Sequence, residues 1–167
     1  MKKCLHKVFA AVKQWLKVHG WEIGGVVAIF ALDQLTKYFA RTALQNVTVV
    51  VFPFFHLRYV ENTGAAFGTM QHNNFLLIFV MLAIIVYLLK SWRELCGYGK
   101  LVHWGCVFIL AGALGNLYDR IRLGYVIDFL DFLVWPVFNI ADSFITIGGG
   151  LFLLSLALGF TYKREEK

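Results

Sequence analysis

Four long apolar blocks organise this chain, and its polar residues collect at one end of them. A helix that crosses a bilayer needs ~20 predominantly apolar residues. Residues 21–40, 73–91, 101–118 and 138–161 meet that requirement. Residues 41–72 differ in kind. The part from 43 to 60 is rich in Val, Phe and Tyr, and Phe55-His56-Leu57-Arg58-Tyr59 alternates as a strand does. Gly64 and Gly68 then punctuate the chain. The pattern predicts an all-α polytopic membrane protein, one domain over residues 1–167. It has four transmembrane helices and a small β structure on the outer surface between spans one and two. Ala111, Gly112 and Gly115 on span three, and Gly148, Gly149 and Gly150 on span four, predict close helix packing.

Basic residues orient the spans. Lys2, Lys3, Lys7, Lys13 and Lys17 precede span one, Lys90, Arg93 and Lys100 join spans two and three, and Lys163, Arg164 and Lys167 follow span four. By the positive-inside rule both termini are expected in the cytoplasm. Leu5, Val8, Phe9, Val12, Trp15 and Leu16 recur at helical spacing among the first lysines. Two readings fit them, a helix lying on the inner surface and a cytoplasmic extension of span one. A cleaved signal peptide fits less well. No small-x-small site follows, and the apolar run continues through Asp33 and Lys37.

Composition supports a membrane protein: 59% of residues are apolar and only 16% charged. The formal charge of +6 does not imply nucleic acid, because the basic residues crowd the ends of apolar blocks. Cys4, Cys96 and Cys106 form no metal-ligand pair, and the five histidines make no HExxH. No metal and no cofactor is expected.

Acidic residues at the mouth of a span mark a functional site by default. Here they lie toward the outer side: Asp33 and Lys37 on span one, Asn116, Asp119 and Arg120 on span three, Asp128 in the outer connection, and Asn139 and Asp142 in the first turns of span four. Asp142 falls about 6 Å below the start of its span at ~1.5 Å per residue. Asn139 and Asp142, three apart, are expected on one helix face. Asp128 reaches the same region through a short connection. Two carboxylates in a partly desolvated site share one proton over a broad pH range. Such a pair can deprotonate water and protonate a carbonyl, as peptide hydrolysis requires. It can equally relay protons, and spacing alone leaves a proton-coupled transporter open. Asp33 and Lys37 fit a structural i, i+4 bridge. Asp119 and Arg120 fit either a site or a span end, and Asp131 fits a solvated loop charge.

Five blocks carry a resemblance. They are Asp33-Gln34-Leu35-Thr36-Lys37, Glu61-Asn62-Thr63-Gly64-Ala65-Ala66-Phe67, Gly112-Ala113-Leu114-Gly115-Asn116-Leu117-Tyr118-Asp119-Arg120, Val126-Ile127-Asp128-Phe129 and Phe138-Asn139-Ile140-Ala141-Asp142. In that order, on four spans of this polarity, the chain resembles lipoprotein signal peptidase, or signal peptidase II, a family of aspartyl intramembrane proteases. The resemblance implies removal of the signal peptide from bacterial prolipoproteins, just before a diacylglyceryl-modified cysteine. It implies Asp128 and Asp142 as the catalytic pair, with Asn62, Gly64, Asn116, Arg120 and Asn139 lining or shaping the site. Asp33, Lys37 and Asp119 would support it. It also implies an outer β-cradle, the bacterial inner membrane as location with the active site toward its outer face, contact with membrane lipid, and inhibition by globomycin-type antibiotics. The one-sided acids agree with this better than with a transporter, which needs polar groups through the whole depth of the membrane.

Overall fold

The computed structural model describes residues 2–64 and 73–159, with side chains from Gly20 onward. The elements in chain order are α1 (Lys2–Ala43), β1 (Val49–Phe52), β2 (Phe55–Asn62), α2 (Asn74–Lys90), α3 (Trp92–Cys96), α4 (Lys100–Leu123), β3 (Val126–Asp131) and α5 (Ile140–Ala157). α1 runs without a break from Lys2 into the first apolar block, so its backbone follows the extension reading of the basic segment.

Among the described residues, three helical stretches are long and apolar enough to cross a membrane: Gly20–Ala43, Lys100–Leu123 and Ile140–Ala157. α2 is apolar but has 17 residues and is shorter than the predicted 73–91. Its ends are set by polar caps. The Asn73 side chain accepts the Leu76 N–H at one end, and the Ser91 N–H bonds Tyr87 O at the other. Capping satisfies backbone groups that helix ends leave open.

α4 is the central helix. A seam of Val102, Cys106, Leu110, Ala113 and Leu117 on α4 meets Ile85 and Leu88 of α2. Gly112 lets α5 approach closely, since a Cβ there would stand 2.4 Å from Ala141 O. Gly148 meets α4 in the same way. Gly149 and Gly150 do not belong to this packing face, contrary to expectation, because each opens onto empty space. Large apolar side chains such as Leu35, Phe39, Phe79, Leu153 and Leu156 point outward, whereas Asp33, Lys37 and Asp119 are buried. That inversion of the usual distribution suits a protein surrounded by lipid.

The sheet is antiparallel with order β1-β2-β3. It is not confined to the connection between spans one and two. Its third strand comes from the connection between α4 and α5. β3 escapes a sequence reading because it is buried on both faces, so it reads as an apolar run without alternation. Gly124 makes the turn that begins it, capping α4 at φ 84°, a left-handed conformation that glycine adopts freely. Ile127 and Phe129 pack against Ala40 and anchor the sheet on the end of α1.

Candidate active site

Strand pairing puts Asp128 opposite Val60 and places Asn62 across from Val126. Asn62 Nδ2 then donates to Asp128 Oδ2 at 2.8 Å. Ten residues after Asp128, Phe138 pairs back on Leu130 and delivers Asn139 to the start of α5. Asn139 is the N-cap of that helix and not, as expected, a residue on its face. With Asp142 it forms a capping box: Asn139 Oδ1 accepts the Asp142 N–H at 2.9 Å, and Asp142 Oδ2 accepts the Asn139 N–H at 3.3 Å. The Asn139 carboxamide nitrogen is thereby turned toward Asp128 Oδ1, at 2.7 Å. One asparagine holds both carboxylates.

Asn116 on α4 completes the frame. Its Nδ2 donates to Asp142 Oδ1 at 2.7 Å, while its Oδ1 accepts from Lys37 Nζ at 2.9 Å and Asn139 Nδ2 at 3.1 Å. The Lys37 ammonium is almost wholly buried between Asp33 Oδ2 at 2.8 Å and Asp119 Oδ2 at 2.9 Å. A lysine is stable in such a place only when fully paired. Asp33 also accepts the Ala141 N–H at 2.9 Å, tying α1 to the first turn of α5, and Asp119 accepts the Ile127 N–H, tying α4 to β3. So Asp33–Lys37 is more than an i, i+4 bridge, and Asp119 and Arg120 do not merely end a span. Arg120 donates to Gly64 O and to Asn74 Oδ1, joining the end of the sheet to the start of α2.

The ten residues singled out from the sequence fall into two layers. Asn62, Gly64, Asn116, Arg120, Asp128 and Asp142 line a cavity of about 530 Å³. Asp33, Lys37, Asp119 and Asn139 stand behind it. The rest of the wall is mostly apolar, from Leu77, Met81, Ile145 and the stretch Trp135-Pro136-Val137-Phe138. Burial raises the Asp128 carboxyl to about 7, helped by the nearby Asp142 charge and opposed by the hydrogen bonds from Asn62 and Asn139 and by Lys37. Among the described residues no cluster of His, Cys, Asp and Glu could hold a metal ion.

Three features escaped the sequence reading. Gln34 bridges Asp33, Asp119 and Gly115 O through its carboxamide nitrogen; its place inside the Asp33–Lys37 block was the available signal. The Asn-x-x-Asp spacing of Asn139 and Asp142 was a readable capping box. Asp131 is not a solvated loop charge. It is 4% exposed, pairs with Arg58 and accepts the Leu133 N–H at 2.8 Å. Strand pairing across 73 positions brings Arg58 to it, which no local pattern announces.

Comparison with known proteins agrees on one family. The signal peptidase (SPase) II family matches residues 25–158. The lipoprotein signal peptidase of Halothermothrix orenii is 41% identical over 133 residues, 78% of this chain and 91% of that protein. That of Caldanaerobacter subterraneus is 45% identical over 126 residues, 74% and 86% respectively. A bacterial membrane enzyme solved by the in meso method at 2.3 Å resolution superposes with a TM-score of 0.79 at 30% identity, covering 89% of this chain and 94% of that one. A match that spans the whole site and most of the chain leaves one assignment: this chain belongs to the signal peptidase II family.

Proposed function

We propose that the chain is an intramembrane aspartyl endopeptidase that removes signal peptides from diacylglyceryl-modified prolipoproteins, cutting just before the lipidated cysteine. The observation that carries this reading is the pair Asp128 and Asp142 on one cavity wall, joined through Asn139. Each carboxylate oxygen receives one fixed donor, which leaves it room for one further partner. With one proton shared between them, the ionised acid takes a proton from water. The resulting hydroxide adds to the scissile carbonyl carbon, and the carbonyl oxygen takes the proton of the other acid. Collapse of the tetrahedral diol breaks the C–N bond: the leaving nitrogen is protonated by the acid that accepted the first proton, and one diol hydroxyl returns its proton to the other acid, which restores the one-proton pair. No cofactor enters this cycle. Asn62, Gly64, Asn116 and Arg120 contact the peptide or orient the acids, and Asp33, Lys37, Asp119 and Asn139 hold them in place.

In this reading α2 also crosses the membrane, as the second of four spans, the termini are cytoplasmic and the cavity faces the outer leaflet of the bacterial inner membrane. The apolar wall then receives the signal segment while the acyl chains stay in lipid, and globomycin-type antibiotics compete for the same cavity. The deciding experiment is cleavage of a lipidated prolipoprotein by purified enzyme in detergent. Asp128→Asn and Asp142→Asn should each abolish it, and the double variant should be no worse than either single, because each acid acts through the other. Full turnover by either variant would overturn the dyad.

A further inference from the structure

Residues 132–137 form a loop closed at its base, where Leu130 and Phe138 exchange backbone hydrogen bonds of 2.9 and 3.1 Å. The chain leaving that base is Asn139, so the loop is fixed to the part of the fold that holds both acids. Its C-terminal half, Trp135 to Val137, walls the cavity. The turn that aims this wall is unusual. Leu133 is the one non-glycine residue with positive φ, 65°, among the described residues. Leucine has no intrinsic preference for that conformation, so its surroundings must impose it.

Asp131 imposes it. The side chain lies at the root of the loop, 4% exposed. Oδ1 accepts the Leu133 N–H at 2.8 Å, and Oδ2 accepts Arg58 Nε from the neighbouring strand. Val134 N–H then bonds Phe132 O at 2.8 Å, which completes the turn. Phe132 stacks on Phe138 with centroids 5.9 Å apart and packs on Phe55 at 4.7 Å. Beyond this anchor Leu133 is 52% and Val134 95% exposed.

We propose that Asp131 and Arg58 are positioning residues for substrate: their ion pair sets the 132–137 loop, and through it the apolar wall against which the peptide binds. Neither residue lines the cavity or touches the Asp128–Asp142 pair. They act on binding and leave the chemistry of the bound substrate alone. The proposal rests on the reading that this cavity takes the peptide.

Steady-state cleavage of a lipidated prolipoprotein by Asp131→Asn, Arg58→Gln and the double variant tests it. Asparagine keeps the size and an acceptor for the Leu133 N–H but loses the charge that holds Arg58. KM should rise about tenfold in each single variant, the effect of losing one charge-assisted hydrogen bond, with kcat within about twofold. The double variant should match the singles, since both remove one interaction. Arg58→Lys, a change at a half-exposed strand position that the fold tolerates, keeps the cation without the guanidinium geometry and should give an intermediate KM. Unchanged KM in all variants, or a loss confined to kcat, overturns the proposal. If Asp131→Asn fails to fold, the Arg58 variants decide by the same criterion. Failure of the wild-type enzyme to cleave would instead refute the functional reading.

Discussion

The carboxamide nitrogen of Asn139 lies 2.7 Å from Asp128 Oδ1, and it is aimed there because the other end of the same carboxamide caps α5. A structural motif for starting a helix thus doubles as the spacer between two acids. Removing it should harm both function and folding. Loss of an N-cap destabilises by about 1 kcal/mol, and Asp128 Oδ1, buried, loses its donor at about 1–3 kcal/mol more. Asn139→Ala should therefore lower thermal unfolding in detergent clearly, while turnover of a prolipoprotein by the folded protein falls at least about a hundredfold. Wild-type turnover in this variant would show that the acids need no bridge.

Asp128 should give the enzyme its pH dependence. Its carboxyl stands at about 7 in the fold against an ordinary value of 3.8. A pair that works with one shared proton loses it as pH rises past about 7, so turnover should fall on that limb. Stability follows the same sign. A carboxyl whose pKa is raised by folding favours the native state fully below 3.8, and that contribution disappears as pH rises through about 7. The stability difference between Asp128→Asn and the wild type should therefore move in the variant's favour from about pH 4 to about pH 7 and then level off, on top of a constant loss from setting the new amide nitrogen against the Asn62 or Asn139 donor. A pH-independent difference would mean that Asp128 is not raised.

Lys37 should be indispensable for stability. Its ammonium offsets two buried acids, Asp33 and Asp119. Lys37→Met leaves both without their cation, at a cost of about 3–5 kcal/mol for a broken buried pair. Adding Asp119→Asn or Asp33→Asn should recover part of that loss. Thermal unfolding of the single and double variants measures the recovery, and additive losses would refute the coupling.

The glycines should separate cleanly by position. A Cβ at Gly112 meets the Ala141 carbonyl at 2.4 Å, and one at Gly115 meets Asp33 Oδ2 at 2.6 Å. Gly112→Ala should push α5 from α4 and lower the unfolding temperature, and Gly115→Ala should displace the Asp33 cluster and reduce activity as well. Gly150→Ala meets nothing within 4 Å and should be neutral or stabilising by about 0.5–1 kcal/mol, since alanine restricts the unfolded chain more than glycine does. Equal effects at all three sites would contradict the packing described here.

What the sequence by itself determined was whatever depends on neighbours along the chain. Apolar runs mark the helices containing Asp33, Asn116 and Asp142 because burial in lipid selects for uniform hydrophobicity. The alternation at Phe55–Tyr59 marks β2 by its sequence period alone, since the strand's exposed residues, Arg58 and Glu61, stand three apart where the register shifts. Isolated polar residues at span ends mark the site because such positions are costly without a use. The ten residues meet at one end of the bundle, six lining the cavity and four behind it. Tertiary structure decided the rest. β3 is a strand because β2 pairs with it, and its doubly buried run carries no period of its own. Asn139 caps α5 because Phe138 is pinned to Leu130 and ends the extended chain there. Asp131 is buried because Arg58, remote in sequence, arrives on the adjacent strand to neutralise it. A charge pattern along one chain segment cannot reveal a partner that only sheet pairing supplies.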